Sequence, residues 1–154
     1  MMYYWVFVVK DHYMDGDLVS ALDIAKERVG GRFWLISKRY ASMKALSEGG
    51  SAVFYATGRD GRFFVGDGTF STSPKPLDIE MSMHAKGHPS EKMTHYIRFD
   101  AARLWQNPVK VEDLVEKLSF ISRKEKWYVY FRGSLRRIPE QDYNIIMTAA
   151  NSQP

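Results

Sequence analysis

The chain has 154 residues, 45% of them hydrophobic and 26% charged, one domain's length with room for a core and no need to invoke disorder. It has no cysteine, which excludes disulfides, thiol catalysis and cysteine-based zinc sites and fits a cytoplasmic protein. Lys and Arg total 22 against 18 Asp and Glu, a net charge of +4 and a pI near 9.2, which permits an anionic partner without demanding one.

The first nine residues, through Tyr3-Tyr4-Trp5-Val6-Phe7-Val8-Val9, lack a basic leader and a small-residue cleavage site. They read as a strand buried on both faces rather than a signal peptide, and no apolar run approaches a membrane span. Lys10 to Gly16 breaks the run. Asp17 is the expected cap of a helix with Leu18, Leu22, Ala25 and Val29 on one face, Arg28 complementing its dipole and Gly30-Gly31 stopping it. Phe33 to Ile36 is a short strand. Ala52 to Ala56 and Phe63 to Val65 pair through the turn Gly58-Arg59-Asp60-Gly61, and Gly66 and Gly68 mark a bulge or bend.

Pro74 and Pro76 end that strand, and residues 77 to 93 read as a long loop. His95 to Phe99 returns to strand, and Trp105 to Pro108 ends the passage. Val111, Leu114, Val115 and Leu118 predict a short amphipathic helix. Trp127 to Phe131 predicts a last, aromatic strand, and Pro139 opens a helix through Tyr143, Ile146 and Met147. The sum is an α+β fold, a mixed β-barrel of about six strands with flanking helices, in one domain over 1–150 with a frayed tail at 151–154.

Motif chemistry is sparse. No phosphate loop, dinucleotide fingerprint or nucleophile elbow is present. His84 and His88 lack a third ligand at metal spacing, so no metal or cofactor is expected. Asp11 and Asp15 flank His12, a conceivable acid–base pair that reads more simply as turn and cap residues, so an enzyme is not expected. Basic residues gather at Arg32, Lys38, Arg39 and Lys44, at Arg59 and Arg62, and from Arg123 to Arg137. Trp34 and Trp127 adjoin two of these groups. An indole beside cations is what base stacking with phosphate contact uses, although a Trp next to a Phe in a strand is more often core.

The ordered set Tyr4 to Val9, Phe33-Trp34-Leu35-Ile36-Ser37, Gly49 to Tyr55, Phe64-Val65-Gly66, Leu118 to Ile121, Trp127 to Gly133 and Ile138 to Tyr143 resembles the EVE domain. That domain belongs to the PUA-like superfamily and is related to the YTH domain. The resemblance spans nearly the whole chain. It implies a PUA-like barrel with a pocket on one side and a role in binding DNA or RNA that carries a modified base. Trp34 falls where the first Trp of the YTH aromatic cage lies, with Ser37 lining the pocket and Lys10, Asp11 and His12 at the base edge. Many relatives carry Asn there. The opposite wall is expected from Met81, Met83 or His84, or from Trp105. Arg32, Lys38, Arg39, Lys44 and Arg132 are the expected phosphate contacts. A small-molecule or protein-interaction domain, and a nucleotide-processing enzyme, are the alternatives.

Overall fold

A computed structural model of the chain describes residues 3–37, 43–47, 49–85 and 93–151. Its centre is a five-stranded sheet in the order β10 (Leu135–Ile138), β1 (Tyr4–Lys10), β5 (Gly50–Gly58), β6 (Gly61–Phe70), β9 (Ala101–Lys110). β1 and β5 run parallel and the other neighbours antiparallel. The parallel pair needs a crossover. That crossover carries the hairpin β2 (His12–Met14) and β3 (Asp17–Val19), helix α1 (Ala21–Gly30), strand β4 (Phe33–Ser37) and the short helix α2 (Met43–Leu46). β4 joins β8 (Met93–Arg98) and β7 (Lys75–Pro76) in a second, antiparallel sheet, with α3 (Ile79–His84) between β7 and β8. The C-terminal helix α4 spans Glu140–Asn151.

The central strands are apolar throughout because both sheet faces are covered. Trp5, Phe7 and Val9 point into one core with Trp34, Phe54, Phe70 and Phe99. Val6 and Val8 point into a second core with Tyr55, Phe64, Leu118, Phe131 and Ile146. The period of two along a strand makes that division. A smaller cluster of Phe33, Leu35, Met81 and Tyr96 lies on the other face of β4.

The α+β class, the burial of β1 on both faces, the hairpin at Gly58–Gly61 and the bend at Gly66 stand as expected. The β6–β9 ladder jumps from Gly66↔Leu104 to Phe64↔Val109, so Trp105 to Pro108 bulges out. Pro108 is tolerated there because β9 is an edge strand and the bulge needs no ladder donor.

Several expectations are corrected. Asp17 does not cap a helix. Residues 12–19 form the β2–β3 hairpin, and Ser20 caps α1 by accepting from the Asp23 N–H at 3.1 Å. The loop expected over 77–93 holds α3, capped by Asp78. The helix expected over 111–118 is two 3-10 turns, broken at Leu114, although its four apolar residues are all buried. The strand expected at Trp127–Phe131 is a 3-10 segment, Lys124–Phe131. Within it Trp127 meets Phe131 edge to face, and Phe131 stacks on Tyr55 with centroids 4.3 Å apart. Packing here overrides a β-favouring composition.

Candidate nucleic-acid interface

A small cavity of about 40 Å³ opens where the end of β1 meets α1 and the turn before β10. Its lining is Val8, Val9, Lys10, His12, Arg28, Met93, Gly133 and Ser134. The turn is anchored because the Val8 N–H donates to the Ser134 carbonyl at 2.8 Å. Gly133 has φ +84°, in the left-handed region where a Cβ would be strained. Ser134 is buried, and its hydroxyl has no hydrogen-bond partner among the described residues. Such orphans are uncommon and need an explanation such as a ligand or ordered water.

Arg28 links the cavity to Trp34. The side chain is 3% exposed, and its guanidinium lies over the indole, 4.8 Å from the ring centroid. Trp34 itself is 0% exposed and stacks on Phe54. Its indole N–H also lacks a partner among the described residues. Trp34 is therefore a core side chain covered by Arg28 and not an open platform.

The other expected residues divide. Lys10 and His12 line the cavity. Ser37 is buried at the end of β4, in register with the lining residue Met93. Asp11 is turned away from the cavity and ties two segments together. One carboxylate oxygen accepts from the Ala21 N–H at 2.8 Å and the other from the Arg59 N–H at 2.9 Å. The opposite wall does not come from α3. Met81 is buried with Phe33 and Leu35, Met83 is exposed, and His84 stacks on Phe33 and pairs with Glu27. Met81 and His84 thus meet the face of β4 opposite Trp34, because alternate residues of a strand face opposite ways. Trp105 lies in the second core and donates to Asp67 at 2.6 Å.

Of the expected phosphate contacts, Arg32, Lys44 and Arg132 are exposed, and Arg132 directly precedes the Gly133-Ser134 turn. Lys38 and Arg39 lie outside the described residues, as does His88. Within the C-terminal basic group, Lys124 donates to the Val115 and Leu118 carbonyls, and the Arg136 guanidinium lies over Phe120 and Tyr130. Arg62 lies over Trp127 in the same way. These cations brace the fold as much as they charge its surface.

Sequence reasoning missed Arg28, Ser134 and Met93. Arg28 carried a signal: Ala21, Ile24, Ala25 and Arg28 are the buried residues of α1, spaced three or four apart. Reading Arg28 as a dipole partner overlooked that stripe. Ser134 carried none, since its burial depends on the turn's docking against β1.

A second cavity, of about 310 Å³, lies on the other side of α1's first turn. It is lined by Ala21, Leu22, Ala56, Phe63, Val65 and Pro108, with Asp11 and Asp60 among its polar residues. Among the described residues, no helix is long and apolar enough to cross a membrane.

No protein-family model matches the sequence. A UPF0310 protein of Pyrococcus abyssi is 30% identical over 119 residues, covering 73% of this chain and 82% of that one. Among solved structures, human THYN1 protein in complex with 5-methylcytosine containing DNA superposes with a TM-score of 0.61 at 13% identity, covering 99% of both chains. The YTH domain of Zygosaccharomyces rouxii MRB1 protein, in complex with N6-methyladenosine RNA, gives a TM-score of 0.64 at 15% identity over 99% of this chain and 89% of that one. The chain thus shares with these structures a mixed α+β fold, a five-stranded mixed sheet with flanking helices.

Proposed function

We propose that this chain, which belongs to the UPF0310 family, is a nucleic-acid-binding module that takes a modified base of DNA or RNA into the cleft between Lys10, His12, Arg28 and Ser134, against Trp34. The observation that carries the reading is that two buried polar groups lack a hydrogen-bond partner among the described residues, the Ser134 hydroxyl and the Trp34 indole N–H. Arg28 joins them by lining the cavity and covering the indole. Two proteins of the same fold are held in complexes with methylated DNA or RNA, which supports the reading. Arg132 and Lys10, with the expected Lys38 and Arg39, serve the phosphates. The domain acts as a reader and not as an enzyme. Both Asp11 oxygens accept backbone N–H groups, which suits the turn-and-cap reading of the first loop.

The test is a titration of the wild-type protein with matched modified and unmodified oligonucleotides, DNA and RNA, at several salt concentrations. At least one modified oligonucleotide should bind more tightly than its unmodified partner. Lys10→Glu should weaken binding of all of them and make the salt slope shallower by about one unit, as when one phosphate gives up its cation. Equal, salt-independent affinity for every oligonucleotide would sink the reading.

A second reading rests on the 310 Å³ cavity, which is at the lower end of small-molecule site volumes. Its apolar wall beside Asp11 and Asp60 suits a small apolar amine. Thermal stabilisation by such amines, with no response to oligonucleotides, would favour it.

A further inference from the structure

We infer that the nucleic acid whose base enters the cleft leaves it as a single strand along the row Lys10, Thr57 and Arg62, with a flanking base stacked on Tyr128. The inference rests on the nucleic-acid reading above and adds a second subsite for that partner.

The row follows from strand register. Lys10 pairs with Thr57 across β1 and β5, and Thr57 pairs with Arg62 across β5 and β6. Residues directly opposite on paired strands share a face. Two residues along the same strands lie Val8, Tyr55 and Phe64, all members of the second core, and residues two apart point the same way. Lys10, Thr57 and Arg62 therefore extend the second-core face past the core itself. Lys10 and Arg62 are exposed and Thr57 is half-buried. Lys10 also lines the cleft, so the row starts at its mouth. Two strand spacings make the row about 10 Å long, which is about three stacked nucleotides of one strand.

The chemistry along the row suits a phosphate backbone with bases beside it. The 3-10 segment Lys124–Phe131 lies over this face, since Phe131 stacks on Tyr55 and the Arg62 guanidinium lies over Trp127, 5.2 Å from the ring centroid. That contact uses one flat side of the guanidinium and leaves its N–H edge for phosphate oxygens. Tyr128 is 48% exposed, and its ring meets Trp127 edge to face. An exposed aromatic ring beside a cation is a stacking surface for a base of any identity. Asp11 and Asp60 lie elsewhere: they line the larger cavity with Ala56 and Val65, residues of the other core. Glu125 belongs to the 3-10 segment, and Glu112 acts on the Tyr55 phenol together with Arg62. Among the described residues neither of them, nor any other carboxylate, is in ion-pair contact with Lys10 or Arg62.

The experiment measures binding of single-stranded oligonucleotides that carry one 5-methylcytosine among thymidines or one N6-methyladenosine among uridines. One, two, three or four flanking nucleotides are added on the 5′ side only or on the 3′ side only. Wild-type affinity should rise with the flank on one side, by about tenfold or more, and level off near three nucleotides. Tyr128→Ala should lose at least about fivefold on the longest oligonucleotide, the low end of one base stack, and nothing on the shortest. Arg62→Gln should make the salt slope shallower by about 0.7 for the longest oligonucleotide alone, as for one phosphate of a single strand. Lys75→Gln, which removes an exposed cation from β7 in the second sheet, should change neither. A wild type that gains nothing from a flank, or gains equally on both sides, overturns the inference and leaves the cleft reading standing. So does a gain that Tyr128→Ala or Arg62→Gln leaves intact, or that Lys75→Gln reduces as much. A wild type that binds neither series at any length removes both. The wild-type length dependence decides the question even if a variant has a lowered thermal melt.

Discussion

Trp34 stacks on Phe54 with ring centroids 4.8 Å apart and planes inclined by 15°. The pair lies within the main core, which also holds Phe7, Phe70 and Phe99. This makes Trp34 a stability residue whatever it does for a ligand. Trp34→Ala should lose roughly 3–5 kcal/mol, the usual cost of emptying a buried aromatic site, and Trp34→Phe distinctly less because a ring still meets Phe54. Urea denaturation of both variants checks this. An Ala variant with the wild-type midpoint and slope would show that the indole is not core. Binding by the Ala variant is meaningful only for its folded fraction.

Asp11 joins the start of α1 to the β5–β6 turn through the Ala21 and Arg59 N–H groups. Removing the carboxylate leaves two donors without their partner. Asp11→Ala should cost about 1–3 kcal/mol, and Asp11→Asn less, since an amide oxygen can still accept one of the two bonds. Amide hydrogen exchange should accelerate at Ala21 and Arg59 together. Unchanged protection at both positions would contradict the clamp.

Asp142 is fully buried in the first turn of α4. It accepts from the Ser119 N–H, the Phe120 N–H and the Ser119 hydroxyl. It thereby fastens the segment after Leu118 to the helix. Asp142→Ala strands these donors, and the expected loss is about 2 kcal/mol or more. Ser119→Ala removes only the hydroxyl bonds and should cost less than half as much. The comparison is a pair of denaturation curves, and an equal loss in the two variants would contradict the assignment.

Burial pushes the Tyr55 phenol up to about 12, and burial also raises Tyr143, against an ordinary value near 10. The folded state therefore holds these protons more tightly than the unfolded chain does. Their contribution to stability is fully present below pH 10 and is lost as the pH rises from about 10 toward 12. Thermal melts across that window should show a falling midpoint, and Tyr55→Phe should flatten the fall. A midpoint that rises above pH 10 would have the wrong sign.

Gly66 lies where the β6–β9 ladder changes register. A Cβ there would collide with the Arg103 carbonyl oxygen, a backbone atom that cannot step aside cheaply. Gly66→Ala should lower stability by about 1–3 kcal/mol, as overpacking does. Arg103 N–H exchange should increase with it. A neutral Gly66→Ala variant would mean that β9 relaxes freely at its bulge.

The sequence by itself determined the strands whose pattern is local. β1 and β5 are continuously apolar because each of their faces meets a core, and that pattern is visible in Tyr4 to Val9 and Ala52 to Ala56. Gly58 to Gly61 announces its turn through residues that only a tight hairpin wants. The family resemblance was likewise legible as an ordered set of segments. Tertiary structure alone decided what those residues face. Trp127 to Phe131 has a strand's composition, yet it winds as a 3-10 segment because Phe131 gains a stack on Tyr55. Asp11 looked like a base-edge group and became a clamp once the β5–β6 turn came within reach of it. Met81 and Trp34 could both be named as pocket walls from sequence, but β4 separates them, since successive strand residues point to opposite faces. Arg28 lies over Trp34, and Ser134 is buried beside β1, only because chain segments distant in sequence meet there. Side-chain periodicity is encoded within a few residues and can be read from them. Which side chain covers another depends on contacts across the whole chain.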